Sequence, residues 1–232
     1  MEANDETSDD PPTRHGITIA VPIPAGDSDL YRYEATDGLL RILADDPYGE
    51  YTIRELSRLT GFSHPAIANA VDVLESNGLV TVTAEGNRKN VSIDRDRVTK
   101  PDEPVLRIPQ SEFHEPVRTA VDRLRDELTG VRGILVFGSV ARGEADRQSD
   151  VDLWVLVQDD RGTNQRAANE IGAELGETRF DGERYEFQIL VESTRSALQF
   201  GDELTDVIAS SITLYETETL RRFRQEVIAN AE

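Results

Sequence analysis

The chain contains no cysteine, so neither a disulfide nor a thiolate metal site is available to it. Its three histidines, His15, His64 and His114, fall in separate segments without metal-ligand spacing and read as surface or groove residues. No apolar run approaches the roughly 20 residues that cross a bilayer. The first ten residues, MEANDETSDD, are acidic where a targeting leader would be basic and then apolar. The expectation is a cytoplasmic protein with no membrane partner. Lysine is nearly missing too: of 25 basic residues only Lys89 and Lys100 are lysines, against 45 acidic ones, for a net charge of −20. An acidic, lysine-poor surface suits a halophilic chain that must stay dissolved in concentrated salt. What is present suffices for real cores: 38% of the 232 residues are hydrophobic, and the length favours two domains.

Residues 1–15 are polar and acidic and read as a disordered tail. In "GITIAVPIP" the alternation of Ile17, Ile19, Val21 and Ile23 makes residues 16–29 a strand-like N-terminal arm, which its prolines keep at a sheet edge. From Thr36 the spacing turns helical, with Leu39, Leu40 and Leu43 on one side and a stop before Pro47. Thr52, three residues ahead of Glu55, predicts a capping box for a second helix that ends at Gly61. Ser63 predicts the cap of a third, with Pro65 in its first turn, a core stripe of Ile67, Val71 and Leu74, and Gly78 past its end. "LVTVTAEGNRKNVSID" then alternates around Glu85-Gly86-Asn87 as a hairpin with Arg88 and Lys89 near its tip.

Three helices, a short turn between the second and third, and a basic hairpin resemble the winged helix-turn-helix of bacterial and archaeal regulators, here over residues 30–98. The resemblance implies a DNA partner. Ser63, His64 and Asn69 would lie at the exposed start of the third helix, the part that faces base edges, and Arg88 and Lys89 would meet phosphates or the minor groove. Residues 30–98 carry eight Lys/Arg against eleven Asp/Glu, a net of −3 that leaves −17 to the rest of the chain. Such weak positive charge argues for a homodimer on a two-fold site, or else for a winged helix used in protein contact.

Residues 99–110, "TKPDEPVLRIPQ", are proline-rich and polar and read as a linker to a domain spanning 111–232. There Val117, Val121, Leu124 and Leu128 mark an amphipathic helix closed by Gly130. "GILVFGS" is a buried strand running into a turn, and "DVDLWVLV" is apolar on both faces beyond its aspartates, as a central strand is. A polar helix around "NQRAANEIGAEL", a third strand "YEFQILV" and two C-terminal helices complete a mixed α/β unit, a mixed sheet flanked by helices.

Two carboxylates in a central strand need compensation, because an unpaired buried charge is costly. Residues two apart on a strand share a side, which brings Asp150 and Asp152 together with Cα atoms roughly 6 to 7 Å apart. That spacing can hold one or two hard cations, and carboxylates select Mg²⁺ with water and phosphate completing its shell. Gly138 lets backbone approach closely, the turn after it offers N–H groups and the Ser139 hydroxyl to a phosphate, and Arg142 can neutralise triphosphate charge or pair with Glu144.

Gly138-Ser139, ten intervening residues and Asp150-Val151-Asp152 resemble the signature of the DNA polymerase beta type nucleotidyltransferases, and "GSVARGEADRQSDVDL" looks most like their minimal prokaryotic members. The resemblance implies that Asp150 and Asp152 bind two Mg²⁺, that the Gly-Ser turn holds ATP phosphates, and that a third acid on a later strand helps activate the acceptor hydroxyl. Glu186 on the next predicted strand is the candidate; Gln188 lies on the same face and would depart from the pattern. The activity implied is transfer of AMP from Mg-ATP to a hydroxyl, with relatives that include antitoxins modifying a partner toxin. The alternative is a transcription regulator whose second domain senses nucleotide without catalysis.

Overall fold

The computed structural model describes residues 16–86, 88–197 and 207–230. The expected acidic tail therefore lies outside the described residues, as does Asn87 of the hairpin turn. Two compact units divide the chain near residue 106.

In the first unit β1 (Thr18–Ile19) leads to α1 (Glu34–Asp45), β2 (Tyr51–Thr52), α2 (Ile53–Thr60), α3 (His64–Ser76), β3 (Val80–Glu85), β4 (Arg88–Ile93) and β5 (Val98–Thr99). The three helices fall where their apolar spacing places them, and Leu39, Leu43, Leu56, Ile67 and Leu74 are fully buried in one shared core. The capping box forms as expected. The Glu55 N–H donates to Thr52 Oγ1 (3.3 Å), and the Glu55 carboxylate accepts from the Thr52 N–H (2.8 Å). Gly61 ends α2 in the left-handed conformation. Ser63 stands at the start of α3, but its side chain makes no capping bond, so Pro65 and the geometry of the turn start that helix. β3 and β4 pair antiparallel as a hairpin, and β2 adds a short third strand in the order β2-β4-β3. β1 pairs with β5, and Ile17 and Ile19 pack on the same core.

The second unit runs α4 (His114–Glu127), β6 (Val131–Phe137), α5 (Gly138–Arg142), β7 (Val151–Val157), α6 (Arg161–Glu177), β8 (Phe187–Ser193), α7 (Thr194–Ala197), β9 (Ile212–Glu216) and α8 (Glu218–Asn230). Its sheet has the order β8-β7-β6-β9. β7 lies parallel to β8 and antiparallel to β6, so the sheet is mixed, and the apolar run of β7 is central as expected. The C-terminal part departs from the expected pair of helices. "ITLYE" forms β9, antiparallel to β6, because alternate residues Ile212 and Leu214 are buried while their neighbours are half-exposed, a two-residue period inside a short run. One face of the sheet is closed by α8: Leu220 and Phe223 pack on Leu135, Trp154 and Leu156, and the Phe223 and Trp154 rings stack 6.0 Å apart. Gly133 admits that helix, since a Cβ there would meet Leu220 Cδ2 at 2.4 Å. Among the described residues no helix is long and apolar enough to cross a membrane.

The capping box gives the first unit a local test. Thr52→Ala removes one member and frees the Glu55 N–H, so the folded state loses about 1 kcal/mol. Urea unfolding of the variant beside the parent chain measures that loss, and an unchanged midpoint would refute the assignment.

Candidate functional site

The two halves of the motif meet at Gly138. Phe137, the last residue of β6, is the cross-strand partner of Asp152, and Gly138 follows with φ of 71°. A Cβ on Gly138 would stand 2.4 Å from Oδ2 of Asp152. Only a residue without a side chain accepts both that backbone angle and that approach. The chain then enters α5, on which Ser139 is half-buried, and Gly143 with φ of 72° ends the turn.

The loop between α5 and β7 is fixed from two sides. Gln110 donates from Nε2 to the Ala145 carbonyl (2.9 Å) and accepts at Oε1 from the Ala145 N–H (3.1 Å), while a Cβ on Gly143 would lie 2.7 Å from Pro109 Cβ. Further on, Asp146 accepts from the Gln148 N–H (2.9 Å) and from Ser149 Oγ (3.1 Å), and these bonds hold its carboxyl below the usual range. The loop thus delivers Asp150 to the start of β7.

Asp150, Asp152, Trp154 and Leu156 share one face of β7. Trp154 and Leu156 lie in the cluster under α8, whereas Asp152 is half-buried and Asp150 is exposed. The expectation of two buried carboxylates is corrected accordingly: Asp150 precedes the first residue of the strand and stands in solvent at the end of the sheet. Burial pushes the Asp152 carboxyl up, the Asp150 charge pushes the same way, and Arg142 pulls it back. Arg142 itself is exposed and donates from Nε to the Glu144 carboxylate at 2.8 Å, the pairing weighed for it in the sequence.

The third acid is placed by the parallel register of β7 and β8, in which Asp152 pairs with Gln188. Glu186 is exposed and precedes β8; its carbonyl accepts from the Val151 N–H at 2.8 Å. Gln188 is exposed on the same face. Among the described residues no group of three or more His, Asp or Glu side chains is arranged to hold a metal ion.

In the first unit, Ser63, His64, Asn69, Arg88 and Lys89 are all exposed. His64, Arg88 and Lys89 line one groove of about 570 Å³ together with Thr52, Ile53, Arg54, Glu55 and Arg58. Ser63 and Asn69 do not line it. Arg54 and Arg58 escaped the sequence reading because they sit on the polar face of α2, and only the packing of α2 against α3 and the hairpin gathers them with the hairpin cations. Their one acidic neighbour in the groove, Glu55, is held below the usual carboxylate range chiefly by its bonds to Thr52, with Arg58 and Arg88 adding to it.

Residues 117–208 match the family model described as the nucleotidyltransferase domain. No curated protein matches the chain. Among solved structures, a toxin-antitoxin complex with AMP-PNP is 20% identical, covering 52% of this chain and 86% of that one at a TM-score of 0.37. A mutant of the toxin-antitoxin MntA-HpeT is 21% identical, covering 48% and 83% at 0.37. A homodimeric winged helix-turn-helix DNA-binding domain from Mycobacterium bovis, described as a possible ArsR-family transcriptional regulator, is 19% identical, covering 41% and 74% at 0.24.

The raised Asp152 carboxyl carries a sign that can be measured. Above the ordinary carboxyl value of about 3.9 the ionised group costs the folded state free energy, and the cost is complete once pH exceeds the raised value. Asp152→Asn removes that cost, so in metal-free buffer its thermal midpoint lies above that of the parent at pH 7 and the gain vanishes below about pH 4. Calorimetry across that range decides the point; a variant no more stable at pH 7 contradicts it.

Proposed function

We propose that the chain is a DNA-binding regulator whose second unit transfers AMP from Mg-ATP to a hydroxyl acceptor. The observation that supports it most is the contact of Gly138 with Asp152 beside Asp150, inside a domain matched as a nucleotidyltransferase. Two carboxylates at the end of a sheet, one strained by its neighbour, suit a hard divalent cation, and Mg²⁺ bound there supplies charge neutralisation for the triphosphate. Asp150 and Asp152 hold the metal side of the nucleotide. The Ser139 hydroxyl and the N–H groups of the turn donate to phosphate oxygens. Arg142, within electrostatic reach of Asp152, exchanges Glu144 for phosphate charge. With the α-phosphorus so oriented, the acceptor oxygen would bond to it as the bond to pyrophosphate breaks, the hydroxyl proton passing to solvent at this exposed end of the sheet.

The acceptor we favour is a hydroxyl of a partner protein, a toxin encoded alongside an antitoxin. The support is the wording "GSVARGEADRQSDVDL" and its likeness to the minimal prokaryotic enzymes. Incubation with labelled ATP, Mg²⁺ and co-purified partners yields a labelled protein, and Asp150→Asn with Asp152→Asn abolishes the label. Label that survives the double variant refutes the site. ATP-dependent change in DNA affinity without any product would favour nucleotide sensing instead.

The DNA half of the proposal rests on the groove of Arg54, Arg58, His64, Arg88 and Lys89, a concentration of positive charge in a chain of net charge −20. Ser63 and Asn69 flank it on α3 as base readers, and a homodimer would double the phosphate contacts. Arg88→Ala weakens binding across sequences and lowers the slope of log K against log salt by about 1. Filter binding over a salt series reads this, and an unchanged slope removes Arg88 from the interface.

A further inference from the structure

Whether two carboxylates or three build the site decides how many cations it can keep. Neighbouring strands stand about 4.8 Å apart, so the side chain nearest to Asp152 across the sheet is its register partner. That partner is Gln188. Glu186 continues the register opposite Asp150, one position before β8 begins, exposed and diagonal to Asp152. No three-acid group capable of holding a metal occurs among the described residues.

Resting on the nucleotide site proposed above, we infer that the third place in it belongs to the neutral amide of Gln188, and that the site keeps one divalent cation with the nucleotide instead of two. The charge balance carries this. Two cations roughly 3.5 to 4 Å apart repel each other, and the pair persists where surrounding anions outweigh that repulsion. Asp150, Asp152 and the triphosphate oxygens hold one divalent ion on the phosphate side, whereas an ion on the acceptor side depends chiefly on side-chain carboxylates, and Arg142 near Asp152 already subtracts from their field. An amide oxygen adds a ligand but no charge. Its NH₂ group, which a carboxylate lacks, can instead donate to Asp152 or to a phosphate oxygen. Gln188 is thus a specificity-determining residue: it favours the phosphate side of the nucleotide over a second ion on the acceptor side.

Counting Mn²⁺ by electron paramagnetic resonance on the full chain, with a saturating non-hydrolysable ATP analogue, tests the assignment. The parent chain holds one ion per chain, and Glu186→Gln still holds one. Gln188→Glu and Gln188→Asp each gain a second ion, the shorter side chain guarding against a packing artefact of the longer. A parent chain that holds two ions, a Glu186→Gln variant that loses one, or Gln188 variants that gain none would each overturn the inference. Failure of the underlying site reads differently: Asp150→Asn with Asp152→Asn would then leave the ion count where it was.

Discussion

The contact between a side-chain-less backbone and a half-buried carboxylate is the constraint on which the second unit depends. Asp152 could not lie where it does if residue 138 carried a Cβ, and the chain could not turn into α5 without the positive φ that glycine supplies. The same contact joins the end of β6 to the start of β7 through the Phe137–Asp152 pair, so the register of the sheet and the shape of the site are set together. Fold and chemistry meet at this turn, where the open space beside Gly138 is taken by the Asp152 carboxylate.

The rest of the unit exists to keep that end of the sheet open while closing the remainder. α8 covers Trp154 and Leu156 on the face that carries the aspartates, and Gly133 lets it approach. On the opposite face Ile189 packs toward α6, where a Cβ on Gly172 would meet it at 3.5 Å. Apolar burial thus holds β7 from Val151 to Val157, and only on the face under α8 does it stop at Asp152. The charge repulsion at the exposed end is affordable because the strand is anchored by its apolar part, and it is the kind of local conflict that marks a site for a ligand of opposite charge.

The first unit deals with charge differently. In this acidic chain the packing of α2, α3 and the β3–β4 hairpin gathers Arg54, Arg58, Arg88 and Lys89 at one groove. Glu55 lies among them but is committed to the capping box, so its carboxylate serves the helix end while the guanidinium groups face solvent.

Patterns of short range were legible in the sequence. The capping box at Thr52, the apolar stripe of α3, the alternation of the hairpin and the Gly-Ser and Asp-x-Asp spacing each follow from residues within a few positions of one another, where helix and strand periodicity act. What depended on distant residues was not: that "ITLYE" adds a strand to β6, that Pro109 and Gln110 brace the loop before Asp150, that Arg54 and Arg58 join the hairpin cations, that Asp150 stands in solvent, and that Gln188 rather than Glu186 pairs with Asp152. Strand register and helix packing decide these, because they are set by burial across the whole unit; a shift of two residues on β8 keeps the same face and would have placed the acid Glu186, in place of the amide Gln188, opposite Asp152.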